Sequence, residues 1–169
     1  TGSFVPEKTL TNDDLAKMFD TSDEWITTRT GIKSRHVCSE EESTALLAAN
    51  AAKQAIKNAG INAKDLDLII VGTISPEMVF PSTACFVQNE LGATHAWAYD
   101  ISAACSGFVY SLATAQQFIE TGMIKKALVI GADTLSKIVD WNDRASAILF
   151  GDGAGAVILE RYEGTDRGI

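Results

Sequence analysis

Histidine is scarce in this chain: His36 and His95 are the two in 169 residues. Cysteine is nearly as scarce, at Cys38, Cys85 and Cys105, an odd number at irregular spacing with no CxxC. These shortages argue against a zinc site or any other metal centre, and against a disulfide framework. The unpaired thiols suit a reducing compartment, so a cytoplasmic location is expected. No cluster of lysine or arginine stands out, and 14 basic against 22 acidic residues leave a net charge of −8. A phosphate-tracking nucleic-acid surface is therefore not expected. A membrane span is not expected either. The longest uncharged run, residues 101–119, is broken by Ser, Gly, Thr and two Gln, and reads as a buried helix and its approach. A signal peptide is not expected either. What is plentiful is apolar side chains, 46% against 21% charged, enough for a real core in one domain.

The chemistry concentrates at residues 100–108, DISAACSGF. A strand is expected over residues 96–101, short and buried. A helix is expected over 107–121, because Phe108, Leu112, Ala115 and Ile119 recur at helical spacing and Gly122 supplies a stop. Cys105 then falls at a helix N-terminus, where unpaired N–H groups and the helix dipole favour a thiolate, the nucleophilic form. Ala103, Ala104, Ser106 and Gly107 leave room for a carbonyl to approach. From spacing alone a reactive thiol and an inert, space-filling one both stand.

Elsewhere the punctuation is local. Thr1-Gly2-Ser3 reads as a turn. Thr11 with Asn12, Asp13 and Asp14 caps a short helix whose apolar face is Leu15, Met18 and Phe19. Thr21 and Glu24 have capping-box spacing for a second helix, ending at Thr30-Gly31. Residues 34–37 are expected as a strand with a structural His36. Glu40, Glu41 and Glu42 form a solvated turn before a seven-alanine helix, 44–59, with Ser43 near its cap and Gly60 at its end. Residues 66–74, LDLIIVGTI, read as a strand buried on both faces. A loop at 75–81 precedes a helix capped by Ser82 and running to about 91. Cys85 reads as filler and His95 as solvent-facing. Residues 126–132 form another strand, 133–142 an irregular stretch, and 156–160 a last strand. Residues 163–169 are polar. Alternating strands and helices point to a mixed or parallel α/β sheet covered on both faces. The glycines of 151–155 fit neither phosphate-loop spacing and precede a strand, so they are expected to permit close backbone approach. Three side chains stay open: Trp25 and Phe80 between packing and binding, and Arg29 between a solvated charge and a ligand contact.

Residues 100–113, DISAACSGFVYSLA, resemble the nucleophile segment of the 3-ketoacyl-acyl-carrier-protein synthase III family, condensing enzymes of the thiolase superfamily. TSDEWITTRTGIKSRH (21–36), FPSTAC (80–85), GAD (131–133), DR (143–144) and FGDGAGAVIL (150–159) resemble that family in the same order. The resemblance implies the N-terminal half of the duplicated, layered αβαβα thiolase-like fold over residues 1–169, with a mixed sheet and helices on both faces. A central first strand and a second half bearing a histidine and an asparagine would be missing, and neither His36 nor His95 matches that histidine. It implies that Cys105 takes an acyl group from acyl-coenzyme A, a substrate and not a resident cofactor, and condenses it with malonyl-acyl carrier protein. It places Trp25 against the adenine with Arg144 on its other face, Thr21 on the base, Arg29 on phosphate, and Trp141 near the tunnel mouth. It implies a homodimer in which Phe80 closes the partner's acyl pocket. Alone, this half is expected to accept an acyl group slowly at most. Alternatives are another acyl-coenzyme A condensing enzyme of the superfamily, a non-catalytic dimerisation half, and a cysteine hydrolase with a histidine at the thiol.

Overall fold

The apolar run in the middle of the chain forms the centre of the sheet. In the computed structural model, which describes residues 1–164 and 168, that run is a strand with all five residues buried. The expectation for the polar stretch 163–169 lies in large part outside the described residues. In chain order the elements are β1 (Gly2–Phe4), β2 (Thr9–Thr11), α1 (Asn12–Ala16), α2 (Asp23–Thr30), β3 (Ser34–His36), α3 (Thr44–Ala59), β4 (Leu68–Gly72), α4 (Thr83–Leu91), β5 (Trp97–Ile101), α5 (Gly107–Glu120), β6 (Lys126–Thr134), α6 (Arg144–Ala147) and β7 (Asp152–Glu160). Five strands make one sheet in the order β1-β7-β6-β4-β5, and β2 pairs with β3 separately. β4 is parallel to β5 and β6, while β7 is antiparallel to β6 and to β1. The sheet is mixed, as expected.

Side-chain alternation divides this sheet between two apolar layers. Ile69, Val71, Leu128 and Ile130 face the alanines Ala48, Ala51, Ala52 and Ala55 of α3, together with Ala84 and Val87 of α4. Leu68, Ile70, Ala127 and Val129 face Ala115 and Ile119 of α5. Alanine at the α3 contact lets two backbones come close, and Gly2 uses that closeness. A Cβ there would lie 2.3 Å from the Ala51 carbonyl oxygen and 2.4 Å from the Ala55 nitrogen.

Most helix ends follow local rules. Thr11 and Asp14 form a capping box on α1. The Ser43 hydroxyl accepts from Leu46 N, and Gly60 ends α3 at φ 68°. Several expectations are corrected. The N-terminal turn is a strand: Gly2 to Phe4 pair with Ala156 to Ala154, and that pairing overrides the turn-like composition. α1 stops at Ala16, so Met18 is 52% exposed and lies outside any apolar face. α2 starts one residue later than Thr21 suggested, and its cap is Ser22, whose hydroxyl accepts from Trp25 N at 3.1 Å. β5 is an edge strand, not a buried one, with Trp97 half exposed. β7 begins at Asp152, inside the glycine run. Ser82 stands at the N-cap position before α4 but turns its hydroxyl to the Cys85 sulfur. The Asp100 carboxylate caps α4 instead, accepting from Thr83 N at 2.7 Å and Ala84 N at 2.8 Å. Burial pushes the Asp100 carboxyl above the usual carboxylate range, against the pull of those two N–H groups.

Candidate active site

The three parallel strands end on one side of the sheet, and the carboxyl ends of such strands are where α/β folds place ligands. At that end the chain leaves β5 and makes a short 3-10 turn, Ala104–Ser106, directly before α5. Ala104 stands at φ 46°, the one non-glycine residue at positive φ among the described residues. A left-handed alanine is strained, and such strain is kept where surrounding contacts over-determine it. The holding contact is glycine on backbone. A Cβ on Gly72 would lie 2.6 Å from the Gly107 carbonyl carbon and 2.8 Å from Phe108 N. The first turn of α5 thus sits on the bare backbone at the end of β4.

Cys105 is exposed on this turn. It lines a cavity of about 220 Å³ whose walls include Gly72, Ala104, Phe108, Gly131, Gly151 and Gly153. The glycine expectation is met at Gly151, where a Cβ would lie 3.0 Å from the Arg35 Cβ and the His36 carbonyl oxygen, whereas at Gly153 it would make ordinary contact and at Gly155 meet open space. Asp133 is the one charged residue in this lining. Neither histidine lines it. His36 Nδ1 is 2.6 Å from the Pro6 carbonyl oxygen, and His95 is exposed in a turn.

A second group gathers around Trp25. The Arg144 guanidinium carbon lies 3.8 Å from the indole centroid and that of Arg29 lies 4.2 Å away. Both positions give cation–π contact. Arg29 also donates to the Trp25 carbonyl oxygen. Among the described residues neither guanidinium is in an ion pair. α6 holds Arg144 in place through Asp143, which accepts from Ala145 N and the Ser146 hydroxyl; the hydroxyl bond keeps the Asp143 carboxyl below its ordinary range. Trp25 and Trp141 pack against Leu15, Ile26 and Ile148, and the Trp141 N–H donates to the Ser136 carbonyl oxygen.

The expected site residues therefore fall into separate groups. Trp25, Arg29 and Arg144 come together, with Arg144 directly on the indole. Trp25 and Arg144 do not line the Cys105 cavity. The link is Arg35, which is buried without a carboxylate partner. It donates to the Leu10 and Ile148 carbonyl oxygens and to Asn12 Oδ1, and its Cβ would lie 3.0 Å from a Cβ on Gly151. Thr21 Oγ1 is buried with no hydrogen-bond partner in the chain. Phe80 is 85% exposed on its loop, so packing under that loop is ruled out. Residue-by-residue reading passed over Arg35, Asp100, Asp133 and Gly72. Gly72 carried a signal, since an isolated glycine in an apolar strand marks close backbone approach.

The chain as a whole matches known proteins closely. A family model described as 3-Oxoacyl-[acyl-carrier-protein (ACP)] synthase III matches residues 99–169. A beta-ketoacyl-[acyl-carrier-protein] synthase III from Caldanaerobacter subterraneus subsp. tengcongensis is 60% identical over 163 residues, 96% of this chain and 49% of that protein. Over nearly its whole length the chain is similar to members of the 3-oxoacyl-[acyl-carrier-protein] synthase III family. The crystal structure of the synthase III of Aquifex aeolicus VF5 superposes with a TM-score of 0.94 at 54% identity, covering 96% of this chain and 53% of that one. A priming beta-ketosynthase of the R1128 polyketide pathway also gives 0.94, at 33% identity over 96% of this chain and 49% of that one. The fold is thus thiolase-like. The chain spans about half the length of the curated relatives it matches. Among the described residues no helix is long and apolar enough to cross a membrane, and no group of three potential ligands is placed to hold a metal.

Proposed function

We propose that this chain is the nucleophile-bearing, N-terminal half of an acyl-condensing enzyme of fatty-acid initiation, and that Cys105 accepts the acyl group. The observation that carries the reading is the exposed Cys105 thiol at the start of α5, in a cavity walled by small residues. The Cys105 sulfur bonds to the carbonyl carbon of acyl-coenzyme A. The bond from that carbon to the coenzyme A sulfur breaks, and the Cys105 proton passes to the departing thiolate. Thioester exchange between two thiols is close to balanced, so the group is held without being trapped. The Cys105 N–H serves as one oxyanion donor. Malonyl-acyl carrier protein then loses carbon dioxide, leaving the electron pair on its α carbon. That carbon attacks the thioester, Cys105 departs as thiolate, and 3-ketoacyl-acyl carrier protein is the product. The second half, with its histidine and asparagine, supports that step.

The Trp25 group is the site for the nucleotide end of coenzyme A. A flat indole and a planar guanidinium suit a purine, which displaces Arg144 from direct contact and lies between the two. Arg29, free of any carboxylate partner among the described residues, meets a phosphate. The buried, unpartnered Thr21 hydroxyl takes the base. Phe80, exposed on its loop, reaches a second copy of the chain. A second reading, priming of a polyketide, is favoured by the R1128 relative and shares the same loading step. The hydrolase alternative loses ground because neither histidine lines the Cys105 cavity.

The test is incubation of the chain with acetyl-coenzyme A, followed by peptide-resolved mass spectrometry. One acetyl group on Cys105, absent in Cys105→Ala, is expected. No adduct at any pH would leave a dimerisation scaffold as the better account.

A further inference from the structure

The GAD motif ends in a carboxylate that the loading step does not use. Asp133 is the single charged residue, among those described, that lines the Cys105 cavity. Its side chain stands on the Cys105 face of the sheet. A Cβ on Gly131, two residues earlier on β6, would meet the Phe108 side chain of α5 at 3.2 Å, and residues two apart on a strand share a face. Asp133 Oδ1 accepts from the Thr73 hydroxyl at 3.0 Å, Ile74 N at 2.9 Å and the Ser75 hydroxyl at 2.8 Å. Among the described residues Oδ2 takes no donor, and no lysine or arginine pairs with the group. The nearby Asp152 carboxylate is committed elsewhere, to Cys38 N and Ser136. The negative charge of the cavity is therefore that of Asp133, held in place by three donors.

We propose that Asp133 is a specificity-determining residue that bars acyl groups bearing a carboxylate from Cys105. This rests on the acyl-transfer reading above. An acyl group on Cys105 occupies the same small cavity as Asp133, so a second carboxylate there meets like charge, a repulsion that added salt screens because Cys105 is exposed. The thiol then takes an uncharged acyl group and refuses a malonyl or succinyl one. That solves a problem posed by the two-step scheme, in which malonyl thioester must be the second substrate and never the first. By the time it enters for condensation, the cavity is filled by the uncharged acyl group.

The experiment compares alkylation of Cys105 by neutral iodoacetamide and anionic iodoacetate, read by peptide-resolved mass spectrometry, in the wild-type chain and in Asp133→Asn. Asparagine keeps an oxygen for the three donors and drops the charge. The iodoacetate to iodoacetamide ratio at Cys105 is expected to rise about fivefold to tenfold, with no change at Cys85. Altered packing alone would move both reagents together. Added salt should raise the wild-type ratio and leave that of Asp133→Asn nearly flat. Should the variant fail to fold, the wild-type salt series decides, and a flat series overturns the proposal. Acetyl- and malonyl-coenzyme A complete the test: malonyl should label Cys105 in Asp133→Asn alone. A ratio that responds to Asp133→Asn in a chain that takes no acetyl sinks the acyl-transfer reading and acyl selection with it. A chain that loads acetyl and malonyl equally, with an unmoved ratio, sinks the role of Asp133 alone.

Discussion

Cys105 and Cys38 are the same residue in opposite settings. Cys38 lines the larger cavity, about 570 Å³ against about 220 Å³ at Cys105. Yet burial, then the Asp152 carboxylate beside it, push the Cys38 thiol from its ordinary 9.0 up to about 12. Glu42 adds to this and Lys137 opposes it. Cys105 is exposed, in a cavity that holds one carboxylate, at the N-terminus of a fourteen-residue helix. Cavity size therefore does not choose the nucleophile. What separates the two thiols is burial, the Asp152 carboxylate hydrogen-bonded beside Cys38, and a backbone turn that leaves the Cys105 sulfur open.

The strongest way to break the contrast is to unseat α5. In Gly72→Ala the added methyl would press on the backbone at Gly107 and Phe108, which cannot swing aside as a side chain can. A stability loss of about 3 kcal/mol is expected in denaturant titrations, at the high end for overpacking. Cys105 alkylation should change with it while Cys38 alkylation, on a different element, holds. A variant as stable as wild type would show that the strand-to-helix seat has slack.

Asp152→Asn sharpens the contrast from the other side. It weakens the acceptor for Cys38 N, Ser136 N and the Ser136 hydroxyl, so a stability loss of about 1–2 kcal/mol is expected. It also removes a charge that opposes the thiolate, so Cys38 should ionise at lower pH and alkylate faster in mildly alkaline solution. The sign for stability follows from the raised thiol. Below about pH 9 the folded and unfolded states both hold the proton. Above that the unfolded chain releases it first, so stability is lost as pH rises from 9.0 towards about 12. That loss should shift to a narrower window in Asp152→Asn and vanish in Cys38→Ala, measured as wild type minus variant so that other titrating groups cancel. An unchanged window in Asp152→Asn would assign the whole rise to burial.

What could be read from the chain without coordinates was what neighbours in sequence decide. Ser43 and Gly60 bracket α3 because a hydroxyl cap and a left-handed glycine act within a few residues. The run at 68–72 announces a central strand because burial on both faces removes alternation. Cys105 stood out through its small neighbours, and its role through family resemblance. What could not be read comes from far along the chain. Asp100 caps a helix that starts 17 residues earlier, Arg35 reaches Ile148 across 113 positions, and Gly2 becomes a strand because Gly155 and Ala156 are there to pair with it. The capping error at Thr21 has a similar root. Ser22 is an equally good cap one step on, and the resemblance gives Thr21 a ligand to hold. That Trp25, Arg29 and Arg144 share one place was legible only through the resemblance, because Arg144 reaches the indole from more than a hundred positions along the chain.

The smallest effect isolates the turn that Cys38 lacks. Ala104 at φ 46° carries a Cβ in a region that disfavours it by about 1 kcal/mol, and Ala104→Gly removes that strain. Glycine gives part of this back through its freer unfolded chain, leaving an expected gain of about 0.5 kcal/mol. The same freedom loosens the residue that aims Cys105. Alkylation of Cys105 should therefore slow by a few-fold relative to Cys38 while the melting temperature rises slightly. Gain in stability with loss of reactivity is the signature of strain kept for function. If both fell together, Ala104 would be a packing residue whose φ is relaxed by its surroundings. If both rose, the turn would be strained but idle, and the reactivity of Cys105 would rest on its exposure and the helix terminus alone.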